Sequence, residues 1–320
     1  MKPRLILAAL AALAVALSAC GSSSDKKSSS SSSTKSSSAA PSGQPGKGKP
    51  PVTLGDKNFT EQYILGELYA QALNSKGFTV KVKSNIGSSE ITDKALTSGK
   101  IDLYPEYTGV IVTELSGAKD QPKSAEETYA AAKKYEEGRD FALLKPTPFF
   151  DADGLAVKPA YAKKNGLADV ADLKKVGAFK YGAPPENKTR YQGVVGMKKA
   201  YGLTSLQFKP LSIGLQYKAL DTDKIDVAAV FTTDAQLAGG KYTVLKDSKG
   251  IFGFQNVAPV VSKKVLAAQG PAFEQTLDAV SAKLTNDAMQ KMNGAVDLDK
   301  QKPAAVAKQF LQANGLLGGS

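Results

Sequence analysis

The chain has 320 residues, with 42 Lys+Arg against 30 Asp+Glu, one Cys, no His and no Trp. The absence of His removes the commonest general base, the commonest zinc ligand and every Ser-His-Asp or Cys-His arrangement, and a single Cys removes disulfides, Cys clusters and iron–sulfur ligation. A hydrophobic content of 42% still provides for a buried core, and the length fits one large or two modest domains.

At the amino end, Lys2 and Arg4 precede an apolar run over 5–17, followed by Ser18, Ala19 and Cys20. A charged region, a short apolar stretch and small residues before a cut predict a secretory signal peptide over 1–19. The run falls short of the roughly 20 apolar residues a spanning helix needs. The only Cys stands where cleavage would leave it first, within Leu17-Ser18-Ala19-Cys20-Gly21. That arrangement resembles the lipobox of bacterial lipoproteins, which implies lipidation of Cys20 and anchoring to the outer face of the cell membrane. Two acyl chains suffice for a stable anchor. Twelve of the residues 21–40 are Ser, and 41–50 holds no apolar side chain larger than Pro. Residues 20–50 are therefore expected to be a lipidated Cys followed by a flexible tether that cannot offset its chain entropy.

The part expected to fold, 51–320, has 35 basic and 29 acidic residues, a net charge of +6. Its charges are interspersed, without the basic stripe and interleaved aromatics that nucleic-acid binding would use. Short apolar runs at 52–55 and 78–82 predict strands, and between them Ile64, Leu65, Leu68, Tyr69, Ala72 and Leu73 mark one helical face ending at Gly77. Further strands are expected at 154–157, 179–182, 225–230, 243–245 and 258–261. The last helices carry Phe273, Leu277, Val280 and Leu284, then Val306, Phe310 and Leu311. Such alternation predicts an α/β fold with largely parallel sheets.

One internal echo stands out. Residues 94–102 read KALTSGKID and 218–226 read KALDTDKID, 124 residues apart, each a helix end, a turn and a strand start. The same offset sets Tyr107-Thr108 on Phe231-Thr232, just past two strand ends, where open α/β sheets bind their ligands. Two equivalent units are expected to form a cleft with one aromatic wall from each.

KNFTEQ at 57–62, IDLYPEYTG at 101–109, the spaced Arg190, Gly193 and Gly196, and APVVSKK at 258–264 occur in that order. Together they resemble the periplasmic substrate-binding proteins of ABC importers for glycine betaine, choline and carnitine, over nearly all of 52–315. The resemblance implies a two-lobed periplasmic-binding-protein fold with a hinge: lobe 1 from 51–150 and 256–320, lobe 2 from 151–255. It implies an extracytoplasmic protein that captures a quaternary-ammonium or related zwitterionic or cationic solute and delivers it to the permease transmembrane subunits. It calls for no cofactor and no metal, no nucleic acid, and a monomer. Transferred position by position, it makes Lys57 a ligand contact, Arg190 a partner for a ligand carboxylate and Tyr107 a cage tyrosine. The other cage positions are replaced by Asp153, Phe231 and Gln255, so the aromatic cage is reduced and more polar. Thr108 and Thr232, beside the two aromatics, complete the candidate set.

Plainer roles are available to several of these residues. Asp153 and Arg190 could pair as a clamp between lobes, Lys57 could be a solvated loop lysine, and Thr232 and Thr233 could cap the following helix. Two other function classes fit the composition less closely. One is a surface adhesin using the basic balance. The other is a carboxylate-dependent hydrolase, for which Glu106 and Asp234 are the candidates, although no spacing marks them as an acid/base pair.

Overall fold

The computed structural model describes residues 44–118 and 121–317. The signal sequence, Cys20 and the serine-rich stretch lie outside the described residues. Residues 44–50 do not behave as a tether. Gly46 N donates to Lys76 O at 3.0 Å, Lys49 Nζ to Ala268 O at 3.0 Å, and Gln269 Nε2 to Pro50 O at 3.0 Å. Composition misjudged this segment because its backbone groups are satisfied by partners far along the chain, so it needs no apolar side chains of its own.

In chain order the elements are β1 (Val52–Gly55), α1 (Thr60–Ser75), β2 (Val80–Lys83), α2 (Ser89–Thr97), β3 (Leu103–Tyr107), α3 (Thr108–Val110), α4 (Ala125–Glu137) and β4 (Phe141–Leu143). There follow β5 (Asp153–Val157), α5 (Pro159–Asn165), β6 (Phe179–Ala183), α6 (Gly196–Tyr201), β7 (Leu206–Pro210), α7 (Leu215–Asp221), β8 (Val227–Phe231) and β9 (Thr243–Leu245). The chain closes with β10 (Val257–Ser262), α8 (Lys263–Gln269), α9 (Pro271–Ser281), α10 (Asn286–Asp297) and α11 (Pro303–Ala313).

Two five-stranded sheets result, ordered β2-β1-β3-β10-β4 and β7-β6-β8-β5-β9. In each, three parallel strands are followed by one that runs against them, β10 in the first and β5 in the second. These antiparallel members are the strands by which the chain crosses from one sheet to the other. The two crossing segments pair with each other, Asp151 N donating to Gln255 O at 3.0 Å and Thr147 N to Val257 O at 2.7 Å. The parallel expectation thus holds for all strands except the two that crossing reverses.

Both sheets are covered on both faces. The first packs α1, α9, α10 and α11 over one face, with Leu54, Leu65, Leu68, Phe273, Leu277 and Leu311 fully buried, and α2 and α4 over the other. The second packs α5 and α6 on one side and α7 on the other. Full burial of such side chains contributes about 1.5–3 kcal/mol each. Helix α1 is buried over most of its surface, Glu61 and Gln62 included, because the sheet and the C-terminal helices enclose it. Its Tyr69 hydroxyl meets Ser281 Oγ at 2.9 Å instead of being stranded.

Strand 78–82 begins two residues late, at Val80. Phe78 drops into the core, edge-on to Phe273 with ring centroids 5.2 Å apart, and Asn74 brackets Val80 with both ends of its amide. Strand β7 escaped the sequence reading because it is an edge strand of mostly exposed residues, LQFKP, with no apolar run to mark it.

The echoed segments superpose in role. Strands β3 and β8 start and end 124 residues apart, at 103 and 227 and at 107 and 231. Gly99 and Asp223 take the same left-handed turn, with φ of 70° and 57°. Asp102 accepts from Thr53 N and Asp226 from Lys180 N, each at 2.7 Å, so the last residue of each KID ties its strand to β1 or β6.

Candidate functional site

The carboxyl ends of β1, β3, β6 and β8 and the amino ends of β5 and β10 open on one cavity between the two sheets. Its empty space is about 490 Å³. Six of the eight sequence-derived candidates line it: Lys57, Tyr107, Asp153, Arg190, Phe231 and Gln255. Thr108 and Thr232 do not.

Lys57 is 2% exposed, which excludes the solvated-loop reading. Its ammonium pairs with Glu106, donates to Ser89 Oγ at 3.1 Å, and lies 4.2 Å from the Tyr107 ring centroid. Burial pulls this lysine below the ordinary value while Glu106 pushes it back up. The cage tyrosine therefore already faces a cation belonging to the protein. Such a contact is worth on the order of 2 kcal/mol or more when desolvated.

Tyr107 and Phe231 do form aromatic walls from the two sheets, but a third ring joins them. Phe59 stacks on Tyr107 at 6.3 Å and 20° and on Phe231 at 6.0 Å and 8°. Phe59 belongs to KNFTEQ, so the motif carried the signal, though only its lysine was singled out. The Tyr107 hydroxyl donates to Glu61 Oε1 at 2.8 Å, and Glu61 also accepts from Thr233 Oγ1 at 2.6 Å and Asn293 Nδ2 at 3.0 Å. The glutamate of the motif thereby joins helix α1 to the loop after β8.

Arg190 is not paired with Asp153. Its guanidinium makes a two-pronged contact with Glu90 of α2, Nε to Oε1 and Nη2 to Oε2, both 2.9 Å. Burial opposes ionisation of Glu90, but the arginine holds its carboxyl down to about 2. The interlobe clamp is thus real but closes on a residue 100 positions away. Asp153, paired in register with Phe231, is pushed up to about 6 by burial, offset in part by the Arg190 charge. Asn187, absent from the sequence-derived set, also lines the cavity. It is delivered there by the tight turn Pro185–Lys188. The first of the spaced glycines after Arg190 serves that turn, since a Cβ on Gly193 would fall 2.1 Å from Asn187 O; a Cβ on Gly196 would instead meet Tyr191 O at 2.1 Å.

Gln255 is buried at the cavity wall with its amide spent on backbone: Oε1 accepts from Val110 N at 3.1 Å and Nε2 donates to Phe252 O at 3.2 Å. It lies directly on Gly109, where a Cβ would meet its amide at 2.5 Å, so a larger residue in EYTG would push the Gln255 amide aside. Thr108 is fully buried and donates to Phe254 O at 3.3 Å. Thr232 Oγ1 accepts from Ala152 N at 3.0 Å and donates to Phe150 O at 3.3 Å. Both threonines hold the crossing segments and do not line this cavity, because the chain has left the strand at each: Thr108 opens α3 and Thr232 lies in a turn.

The cavity offers aromatic faces, two cationic side chains each matched by a carboxylate, and the carboxyl of Asp153. That set has the chemistry to meet a small solute of mixed charge. Among the described residues there is no cluster of three or more His, Cys, Asp or Glu disposed to hold a metal ion, and no helix long and apolar enough to cross a membrane.

The chain is similar to known proteins over most of its length. The profile of the OpuAC family, the substrate binding domain of ABC-type glycine betaine transport system, matches residues 50–313. A glycine-betaine-binding protein of Pseudomonas aeruginosa is 34% identical over 278 residues, covering 83% of this chain and 88% of that protein. The glycine betaine-binding protein YehZ of Escherichia coli is 30% identical, covering 83% and 91%. A crystal structure of a glycine betaine/carnitine/choline ABC transporter component matches with a TM-score of 0.67 at 26% identity, covering 83% of this chain and 99% of that one.

Proposed function

This chain belongs to the family of substrate-binding domains of ABC-type glycine betaine transport systems, and on that footing we propose that it captures a quaternary-ammonium zwitterion between its two sheets. It hands that solute to the permease subunits of an ABC importer. The observation that carries the reading is the ring set Tyr107, Phe59 and Phe231 lying beside Lys57 and Arg190 in one interlobe cavity. A quaternary ammonium forms no hydrogen bond, so it is held by aromatic faces. The carboxylate on the same solute is held by the guanidinium and ammonium.

Binding requires the solute to replace Glu90 on Arg190 or share it, so a carboxylate-bearing solute is preferred over choline. The lobes, 51–150 with 256–320 and 151–255, move about the paired crossing segments. Residues 1–19 act as the export signal, and Cys20 carries the lipid that holds the protein at the outer face of the membrane. The protein acts without catalysis, as a monomer.

A thermal-shift screen of the full chain against glycine betaine, proline betaine, carnitine, choline and ergothioneine, followed by calorimetry, tests the ligand class. A true ligand at 100 Kd adds about 2.7 kcal/mol of stability. A shift with a betaine and none with choline is the expected result; no shift with any of them defeats the reading. For the anchor, Cys20→Ser is expected to leave the protein in the soluble fraction or unprocessed. Unchanged membrane attachment would rule the lipid out.

A further inference from the structure

Behind the aromatic set lies a second chamber. It shares Phe59, Phe231, Asp151, Asn58 and Ile213 with the first, and its empty space is about 700 Å³. Its character is different. Four carboxylates line it, Glu61, Asp151, Asp234 and Asp297, and no Lys or Arg does.

The hydroxyl donors of this chamber are already engaged. Thr60 donates to Asp297 at 2.6 Å, Thr233 to Glu61 at 2.6 Å, Tyr217 to Asp234 at 2.5 Å and Tyr63 to Asn85 at 3.3 Å. Asn293, 4% exposed at the chamber wall, gives its amide hydrogens to Glu61 and to Thr233 O, which leaves its Oδ1 without a partner. Gln236 Oε1, also at the wall, is unpartnered as well. A buried acceptor with no donor is costly unless something fills it. What remains at these two buried oxygens is unspent acceptor capacity, beside four carboxylates. Burial and the neighbouring carboxylates push Asp234 up to about 7, as expected of acids gathered without a cation.

We propose that this second chamber receives a cationic, hydrogen-bond-donating group, such as a primary ammonium or guanidinium, carried on the tail of a zwitterionic solute whose head occupies the first chamber. The proposal rests on the head-site reading given above and names a larger solute class than glycine betaine. A quaternary ammonium would not serve in the second chamber, because it has no N–H to offer Asn293 or Gln236. The two chambers divide the labour: ring faces and matched cations for the head, acceptors for the tail.

The test uses two compounds of nearly equal size, lysine betaine (the Nα-trimethyl derivative), whose tail ends in an ammonium, and norleucine betaine, whose tail ends in a methyl group. Glycine betaine serves as the head-only reference. In calorimetry on the full chain, lysine betaine should bind at least tenfold more tightly than norleucine betaine. Asp297→Asn and Asn293→Leu should each cut that ratio at least threefold. The ratio is read on one protein sample, so partial loss of folded material does not alter it. Equal affinities, or binding of glycine betaine alone, would overturn the second chamber and leave the head site standing. If none of the three binds, the head-site reading fails and the chamber with it.

Discussion

The two lobes build the same helix–turn–strand unit 124 residues apart and put different chemistry on it. In the first, the residue before the wall aromatic is Glu106, buried and paired with Lys57; in the second, the equivalent position is Val230, packed in the core. Tyr107 has a hydroxyl anchored on Glu61, whereas Phe231 has none and remains half-buried. The backbone-fixing devices, the left-handed turn and the Asp that ties strand to strand, are kept in both. The scaffold therefore repeats while the side chains it brings to the cavity differ between the lobes. The first lobe is the charged, preorganised half, and the second brings a ring, Asp153 and Arg190 to it.

That asymmetry is most sharply broken at Glu106. Glu106→Ala strands a buried ammonium, and the loss of one partner from such a pair costs about 3–5 kcal/mol. Val230→Ala removes only apolar atoms and should cost roughly 2 kcal/mol. Urea titration of the two variants measures the gap, and equal losses would mean that the Lys57 pair carries no special weight.

The repeated part predicts equality where the first test predicts difference. Asp102→Ala and Asp226→Ala each remove a charged acceptor from a backbone N–H at 2.7 Å, so each should lose about 1.5–3 kcal/mol. Melting curves that differ strongly between the two would show that the echo is not a shared device.

Smaller effects are expected on ligand affinity. Tyr107→Ala should weaken a betaine by about 2 kcal/mol, and Phe231→Ala by about 1 kcal/mol, since the second ring is the less enclosed. Calorimetry giving the reverse order would move the centre of the cage into the second lobe.

The sequence was most readable where structure is local. The KAL and KID echo placed Tyr107 and Phe231 because a short segment fixes where its own strand ends. The same echo also misled, since Thr108 and Thr232 were chosen as neighbours of those rings although the chain leaves the strand there and both hydroxyls bond the crossing segments. The partner of Arg190 could not be read, because Glu90 comes from another lobe and nothing local marks it. Phe59 was in plain sight within KNFTEQ, but its role depends on stacking against a ring 172 positions later. The folded turn at 44–50 was hidden for a related reason: its hydrogen-bond partners, Lys76 and Ala268, are distant in the chain.

The claim that the cavity between the sheets is the solute site is tested most directly by a crystal structure of the full chain grown with saturating glycine betaine. The expected result is a betaine in the first chamber, its nitrogen within about 6 Å of the centroids of Phe59, Tyr107 or Phe231 and its carboxylate on Arg190 with Glu90 displaced. A betaine bound elsewhere, or an unchanged Arg190–Glu90 pair with the chamber lacking ligand density, would contradict it.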